Sequence, residues 1–247
     1  MFGTMIRSFI PITVASALGY KCFNLLLDFD ILSPPNKYAG KERHRWRNAA
    51  TSLVNAVIVA ALVMYCLFTQ PELWSEPVTH YAVSVEVTFA VVSGYLIYDT
   101  YDLLTHNGFG KVWALFVHHT IMTSTFFVMS IEHKAMGILT LGLLSEINAI
   151  FLHSRQLLLM HGFSKDTLIY GVHRLFNLAT YILLRLAPLI YATYCSYFTT
   201  QHLPAYLAAV LPFMTTAITV INFVLLWRLI CSDFLSKDGK HRHVMDN

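Results

Sequence analysis

Seven apolar stretches, at 9–27, 49–69, 82–98, 112–131, 135–160, 172–198 and 205–230, leave this chain few folding options. A helix crossing ~30 Å of hydrocarbon needs roughly 20 mostly apolar residues, and each stretch approaches or exceeds that length. In lipid every backbone polar group must be satisfied within the segment, so runs of this length read as helices. Charged residues make up 13% of the chain and mean hydropathy is +0.55. A soluble domain carries about 25% charged residues, so the apolar excess here has to be solvated by lipid. The expected class is an all-α membrane protein.

The first stretch is interrupted by Pro11 and Lys21. It reads either as a retained helix or as a signal peptide with Arg7 as its basic start and small residues at Val14–Ala17. The apolar pattern resumes at Cys22–Leu27, which favours retention. Pro34-Pro35 then breaks the chain before a basic loop holding Lys37, Lys41, Arg43, Arg45 and Arg47. Residues 70–81 contain no Lys or Arg, whereas Lys111, Lys165, Lys237, Lys240 and Arg242 fall on the same side as the basic loop when sides alternate. Lys134 is the exception. Positive charge marks the cytosolic side, so seven spans with an outside N-terminus place the C-terminus in the cytosol. A formal charge of +3 gives no reason to expect nucleic acid as a partner. The four cysteines lie in or beside apolar runs and supply no disulfide framework. There is no Asn-x-Ser/Thr acceptor.

Ionisable groups inside a membrane are costly and face a bundle interior or wet cavity. Here they are Glu86, His118, His119, Glu146, His153, Arg155, His173, Arg174 and Arg185. At 1.5 Å per residue, His118 and His119 lie roughly 9–11 Å inside the cytosolic boundary. Asp99 and Asp102 end the third span on one helical face; Asn48, Ser52 and Asn55 open the second as a polar stripe. His153, His173, Asn177 and Asn222 fall near the same level, with Glu146 nearer the midplane. The expectation is one water-accessible chamber near the inner leaflet, shared by Asn55, Asp99, His118, His153 and Asn177. Glu146 and His153 share a face of the fifth span and are assigned inward; Arg155, on the other face, is expected to snorkel toward headgroups.

The order and spacing of several elements resemble the TLC (TRAM–LAG1–CLN8) domain family. They are Arg45-Trp46-Arg47-Asn48 with Ser52 and Asn55, Tyr98-Asp99-Thr100-Tyr101-Asp102, Val117-His118-His119, and the run from Leu144 to Leu152. Arg185-Leu186-Ala187-Pro188 and Ser232-Asp233-Phe234 look most like the branch of TLC domain-containing proteins 1 and 2. The resemblance implies a six-helix barrel over residues 40–234, preceded by one extra N-terminal helix in 1–39 and followed by a cytosolic tail at 235–247. It implies a plasma-membrane protein (alternatively one of the endoplasmic reticulum) that regulates phospholipid composition and fluidity, limiting polyunsaturated-chain phospholipids. Its partners would be phospholipids or acyl chains.

The family also contains ceramide synthases, whose paired histidine serves acyl transfer from acyl-CoA; His118 and His119 fall on that pair. The resemblance makes acyl-CoA a candidate substrate and His118, His119 and Asp99 candidate catalytic residues. The candidate binding residues are Arg45, Asn48, Ser52, Asn55, Asp102, Glu146, His153, His173, Asn177 and Asn222. Two departures weigh against ceramide synthesis: Leu152-His153-Ser154-Arg155 lacks the carboxylate expected after the histidine, and Asn55 stands where the family often has histidine. A regulator that is not an enzyme is therefore favoured over a histidine-dependent acyltransferase, with a modulator of a membrane channel as a further alternative.

Each group also has a plain reading. The histidine pair could be an interhelical polar contact, and Asp99 with Asp102 a solvated helix end. Glu146 could pair with His153 or Arg185, while Arg43, Arg45 and Arg47 could set topology and meet anionic headgroups at about 1 kcal/mol each. No metal is expected, because one histidine pair and scattered single residues lack close His-x-x-x-His repeats. His44 and His106 are assigned to loops with no special role. No pair of Gly/Pro-broken helices marks a transporter.

Overall fold

The computed structural model describes residues 2–28, 40–199 and 203–235. It is all-α, with no strand among the described residues. The helices are α1 (Phe2–Leu26), α2 (Gly40–Thr69), the short α3 (Glu72–Ser75), α4 (Val83–Asn107) and α5 (Phe109–Glu132). They are followed by α6 (Met136–Leu143), α7 (Ser145–Met160), α8 (Leu168–Thr180), α9 (Ala187–Phe198) and α10 (Ala205–Ile230). A π-helical segment, Tyr181–Leu186, joins α8 to α9, and a second, Cys231–Leu235, extends α10. Pro34, Pro35, Lys37, Lys237, Lys240 and Arg242, which carry part of the topology argument, lie outside the described residues.

Among the described residues, five helical runs are long and apolar enough to cross a membrane: Ser8–Leu26, Gly40–Thr69, Met136–Met160, Leu168–Phe198 and Ala205–Leu235. This is a multi-pass membrane protein. α4 and α5 are also of membrane length, 25 and 24 residues. The lipid-facing surface is correspondingly apolar: Phe68, Leu183, Phe213 and Trp227 are each more than 60% exposed. Large apolar side chains exposed in such number fit a surface whose solvent is hydrocarbon.

Element boundaries differ from the sequence reading in ways that matter. α2 starts nine residues before its apolar stretch, so Lys41, Arg43, His44, Arg45 and Arg47 stand on a helix rather than in a loop. Basic residues cost little in helical geometry, and Gly40 at φ +53° supplies the left-handed start. α4 likewise runs nine residues past Tyr98, carrying Asp99, Asp102 and His106 within it. It ends at Gly108 (φ +76°, ψ 153°), a conformation that needs glycine, and α5 begins at the next residue. α6 and α7 break at Leu144, just before Glu146.

α4 is the hub: α1, α2 and α5 all pack on it, α2 packs on α7, α7 on α8, and α9 on both α6 and α10. The α1–α4 crossing is close because Gly94 has no side chain; a Cβ there would overlap Thr13 and Ser16. Ser16 donates to the Val91 carbonyl at 2.7 Å across the same seam. α1 is thus packed into the bundle and buries Phe9, Tyr20 and Asn24.

The interior is divided along its length. The apolar core (Val59, Val63, Phe89, Phe126, Met136, Leu141 and Leu211) fills the end formed by the α2 C-terminus and the α10 N-terminus. Most buried polar groups occupy the middle and the opposite, basic end, with Glu86 an exception buried near the apolar end.

Candidate functional site

Among the described residues the polar groups do not form one chamber; most fall into three networks, and a few line a largely apolar cavity. At the basic end, the stripe on α2 is consumed by its neighbours. Asn48 donates to Asp99 Oδ1 at 2.7 Å, Tyr95 to Ser52 at 2.9 Å and Tyr20 to Asn55 Oδ1 at 3.0 Å. Asn48, Ser52 and Asn55 therefore hold α1, α2 and α4 together instead of lining a cavity. Asp102, 1% exposed, approaches His44 Nε2 at 2.8 Å and His106 Nδ1 at 3.6 Å. His44 and His106 thus belong to helices and to one carboxylate, contrary to their assignment to loops. Arg45 is exposed on α2.

A second network closes the C-terminal seam. Arg155 pairs with Asp233 through two guanidinium nitrogens, one of them Nε at 2.8 Å from Oδ2. Tyr170 donates to Asp233 at 3.0 Å and Arg174 to its carbonyl at 3.1 Å. Arg155 is buried, so it does not snorkel to headgroups: a carboxylate 78 residues away in sequence satisfies it. His173 meets Ser154 at 2.8 Å in the same region.

The third network lies mid-bundle. Arg185, near the centre of the Leu168–Phe198 run, donates from Nε to Asn222 Oδ1 at 2.9 Å and from Nη1 to Asn148 Oδ1 at 3.1 Å. Asn148 in turn donates to Asn177 Oδ1 at 3.1 Å and to Thr180 at 3.1 Å; Tyr181 donates to the Asn222 carbonyl at 2.9 Å. The π segment places Arg185 here for a local reason. Pro188 has no N–H to give the Leu184 carbonyl and would clash with it in α geometry. The backbone instead widens, and the Ala187 N–H bonds Ile182 five residues back. π-bulges of this kind are frequent at functional sites. Asn148, Thr180 and Tyr181 are network members that sequence reasoning did not select; Pro188, three residues after an intramembrane arginine, was the available signal.

Adjacent helical residues differ by about 100°, and the histidine pair splits accordingly. The two rings are 5.8 Å apart. His119 turns to α4, with Nδ1 2.8 Å from Thr100 Oγ1 and Nε2 3.9 Å from Asp99 Oδ2. His118 turns into a cavity of about 170 Å³ that it shares with Glu146, Arg185 and Asn222. The remaining wall is largely apolar, from Val92, Leu96, Met122, Phe126, Leu189 and Ile218 among others. His118, Glu146 and His153 make no hydrogen bond among the described residues. Arg185, which shares the cavity with His118 and Glu146, makes no ion pair within 4 Å with Glu146 among the described residues. Asn55, Asp99, His153 and Asn177, expected in the shared chamber, do not line this cavity.

At the end opposite the basic one, Glu86 accepts from Tyr81 at 2.8 Å and from Ser8 at 3.2 Å. Burial and the bond to Glu86 push the Tyr81 phenol, which lies outside the spans, up to about 12.

Compared with known proteins, residues 45–231 match the TLC domain model of the TRAM, LAG1 and CLN8 proteins. The chain belongs to the TLC domain family. It is 28% identical over 227 residues to TLC domain-containing protein 2 of Danio rerio, covering 92% of this chain and 91% of that one. It is 30% identical to TLC domain-containing protein 1 of Mus musculus (82% of this chain, 81% of that one) and 32% to that of Gallus gallus (77% and 74%). No solved structure matches. The matched span contains the three networks apart from Tyr20, His44, Ser232 and Asp233, and leaves α1 outside. Membership points to a role connected with membrane lipids.

Proposed function

We propose that this protein takes a lipid acyl chain, with its polar linkage, into the cavity between α5, α7, the π segment and α10. By doing so it regulates phospholipid acyl composition, limiting polyunsaturated-chain phospholipids. The observation that carries this reading is the cavity's division into an apolar wall and one polar pole made by His118, Glu146, Arg185 and Asn222. Its volume is close to that of an engineered ~150 Å³ cavity that admits benzene, so it suits a short length of chain rather than a whole lipid. Arg185 is held as a fixed donor fork, the geometry suited to ester, carboxylate or phosphate oxygens. The reading includes seven spans with a cytosolic C-terminus in the plasma membrane, supported by the basic charge on α2.

A second reading, acyl transfer, is favoured by one observation: His118 lines the cavity together with Glu146 and has no hydrogen-bond partner among the described residues. A neutral imidazole there could take the proton of an acceptor hydroxyl as the acyl group leaves an acyl-CoA thioester. His119, bonded to Thr100, would not share that role.

The test is lipid analysis of cells lacking the protein, rescued with wild type, Glu146→Gln or His118→Ala at equal expression. Rescue by wild type alone supports a working cavity; equal rescue by both variants overturns it. Purified protein in nanodiscs with acyl-CoA and lysophospholipid separates the readings, since His118-dependent product formation would establish the enzyme.

A further inference from the structure

We propose that His44, Asp102 and His106 form a binding site for a divalent transition-metal ion of the zinc class, clamping the start of α2 to the end of α4. The site is remote from the cavity and does not depend on the function assigned to it. One ligand atom from each residue lies within 4.8 Å of the other two. His44 Nε2 is 2.8 Å from Asp102 Oδ2, and His106 Nδ1 is 3.6 Å from Asp102 Oδ1. Tetrahedral zinc with bonds of about 2.0–2.2 Å holds its ligand atoms roughly 3.3–3.6 Å apart, which one Asp102 oxygen and the two ring nitrogens, already within 4.8 Å of one another, reach by small side-chain adjustments.

A hydrogen-bonded cluster without metal leaves a defect. Asp102 Oδ1 is buried and has no hydrogen-bond partner among the described residues. A buried unpaired carboxylate oxygen is costly, and a cation shared with the two rings removes that cost. The rings stack at 3.9 Å and 16°, presenting their nitrogens to the same carboxylate. The two arginines beside His44 on α2, Arg43 and Arg47, are already paired, both with Asp28. His106 Nδ1 also lies 2.8 Å from the Asp102 carbonyl and 3.1 Å from Thr105 Oγ1. Metal binding exchanges those contacts and moves the ring proton to Nε2 on the exposed edge; His106 is 40% exposed and has room to turn. Two imidazoles and one carboxylate suit zinc and its neighbours rather than magnesium or calcium, which take oxygen ligands. Three protein ligands leave a fourth position for water.

The experiment uses the full-length protein in nanodiscs, purified with a histidine-free tag and stripped of metal. Zn²⁺ is titrated with elemental analysis of the bound ion, and Co²⁺ is added as a spectroscopic probe of tetrahedral coordination. One equivalent is expected for wild type and for the control His80→Gln, which alters a histidine at the opposite end. His106→Gln should weaken binding by at least about tenfold, the loss seen even for residues that merely support a ligand. Asp102→Asn should do the same where it folds; His106→Gln, altering an exposed ring, decides the matter where it does not. Unchanged affinity in His106→Gln, no stoichiometric uptake by wild type, or equal competition by Mg²⁺ or Ca²⁺ overturns the proposal.

Discussion

Arg185 donates from Nε to Oδ1 of Asn222 across 2.9 Å, tying the π-helical segment to α10 in the middle of the membrane. A hydrogen bond to a charged group is worth about 1.5–3 kcal/mol. Asn222→Leu should therefore lower stability by that order, read as a drop in thermal midpoint in nanodiscs. An unchanged midpoint would mean that Arg185 draws its compensation elsewhere.

Arg155 and Asp233 make a different kind of contact, a buried ion pair across the C-terminal seam. Removing one partner strands a charge and typically costs about 3–5 kcal/mol. Asp233→Leu should lose that much, while Arg155→Met combined with Asp233→Leu should recover most of it. Protease resistance of the seam and melting of the three variants give the comparison.

His118 is predicted to matter for function more than for stability. It has no hydrogen bond to lose among the described residues, so His118→Ala should shift folding by no more than about 1 kcal/mol. The same variant should fail to restore phospholipid composition. A large stability loss with normal rescue would reassign the residue to packing.

Gly94 sets the distance between α1 and α4. Gly94→Val should force the helices apart at a cost of about 1–3 kcal/mol, as overpacking does elsewhere. Ala90→Gly, one turn away, should cost less. Equal melting of Gly94→Val and wild type would show that α1 is not held by this seam.

Topology can be read directly. With plasma membranes selectively permeabilised, a C-terminal epitope should become accessible only after permeabilisation, and an epitope inserted at 76–79 should be accessible before it. The reverse pattern would invert the charge-based orientation.

The helical stretches were legible because lipid imposes a length and composition that any window of residues reveals. The 205–230 stretch coincides with α10, and 172–198 lies within a continuous helical run. The ends were less legible. α2 and α4 extend beyond hydrocarbon into a region where helix propensity, not apolarity, decides, and those extensions carry His44, Asp99, Asp102 and His106. Of the expected site residues, His118, Glu146 and Asn222 reach the cavity. Asn48, Ser52, Asn55 and Asn177 instead satisfy one another's neighbours, since a buried polar group bonds whatever the adjacent helix presents.

By itself the sequence determined a membrane-embedded helical chain, the segments that meet lipid, and the family to which it belongs, because each follows from local composition or residue order. Only the tertiary structure decided that His118 and His119 serve different surroundings, that Arg155 finds Asp233, and that His44 meets Asp102. Those outcomes depend on how each helix is rotated about its axis and which helix lies beside it. Side chains 58 or 78 residues apart are brought together by that packing, and no local periodicity records it.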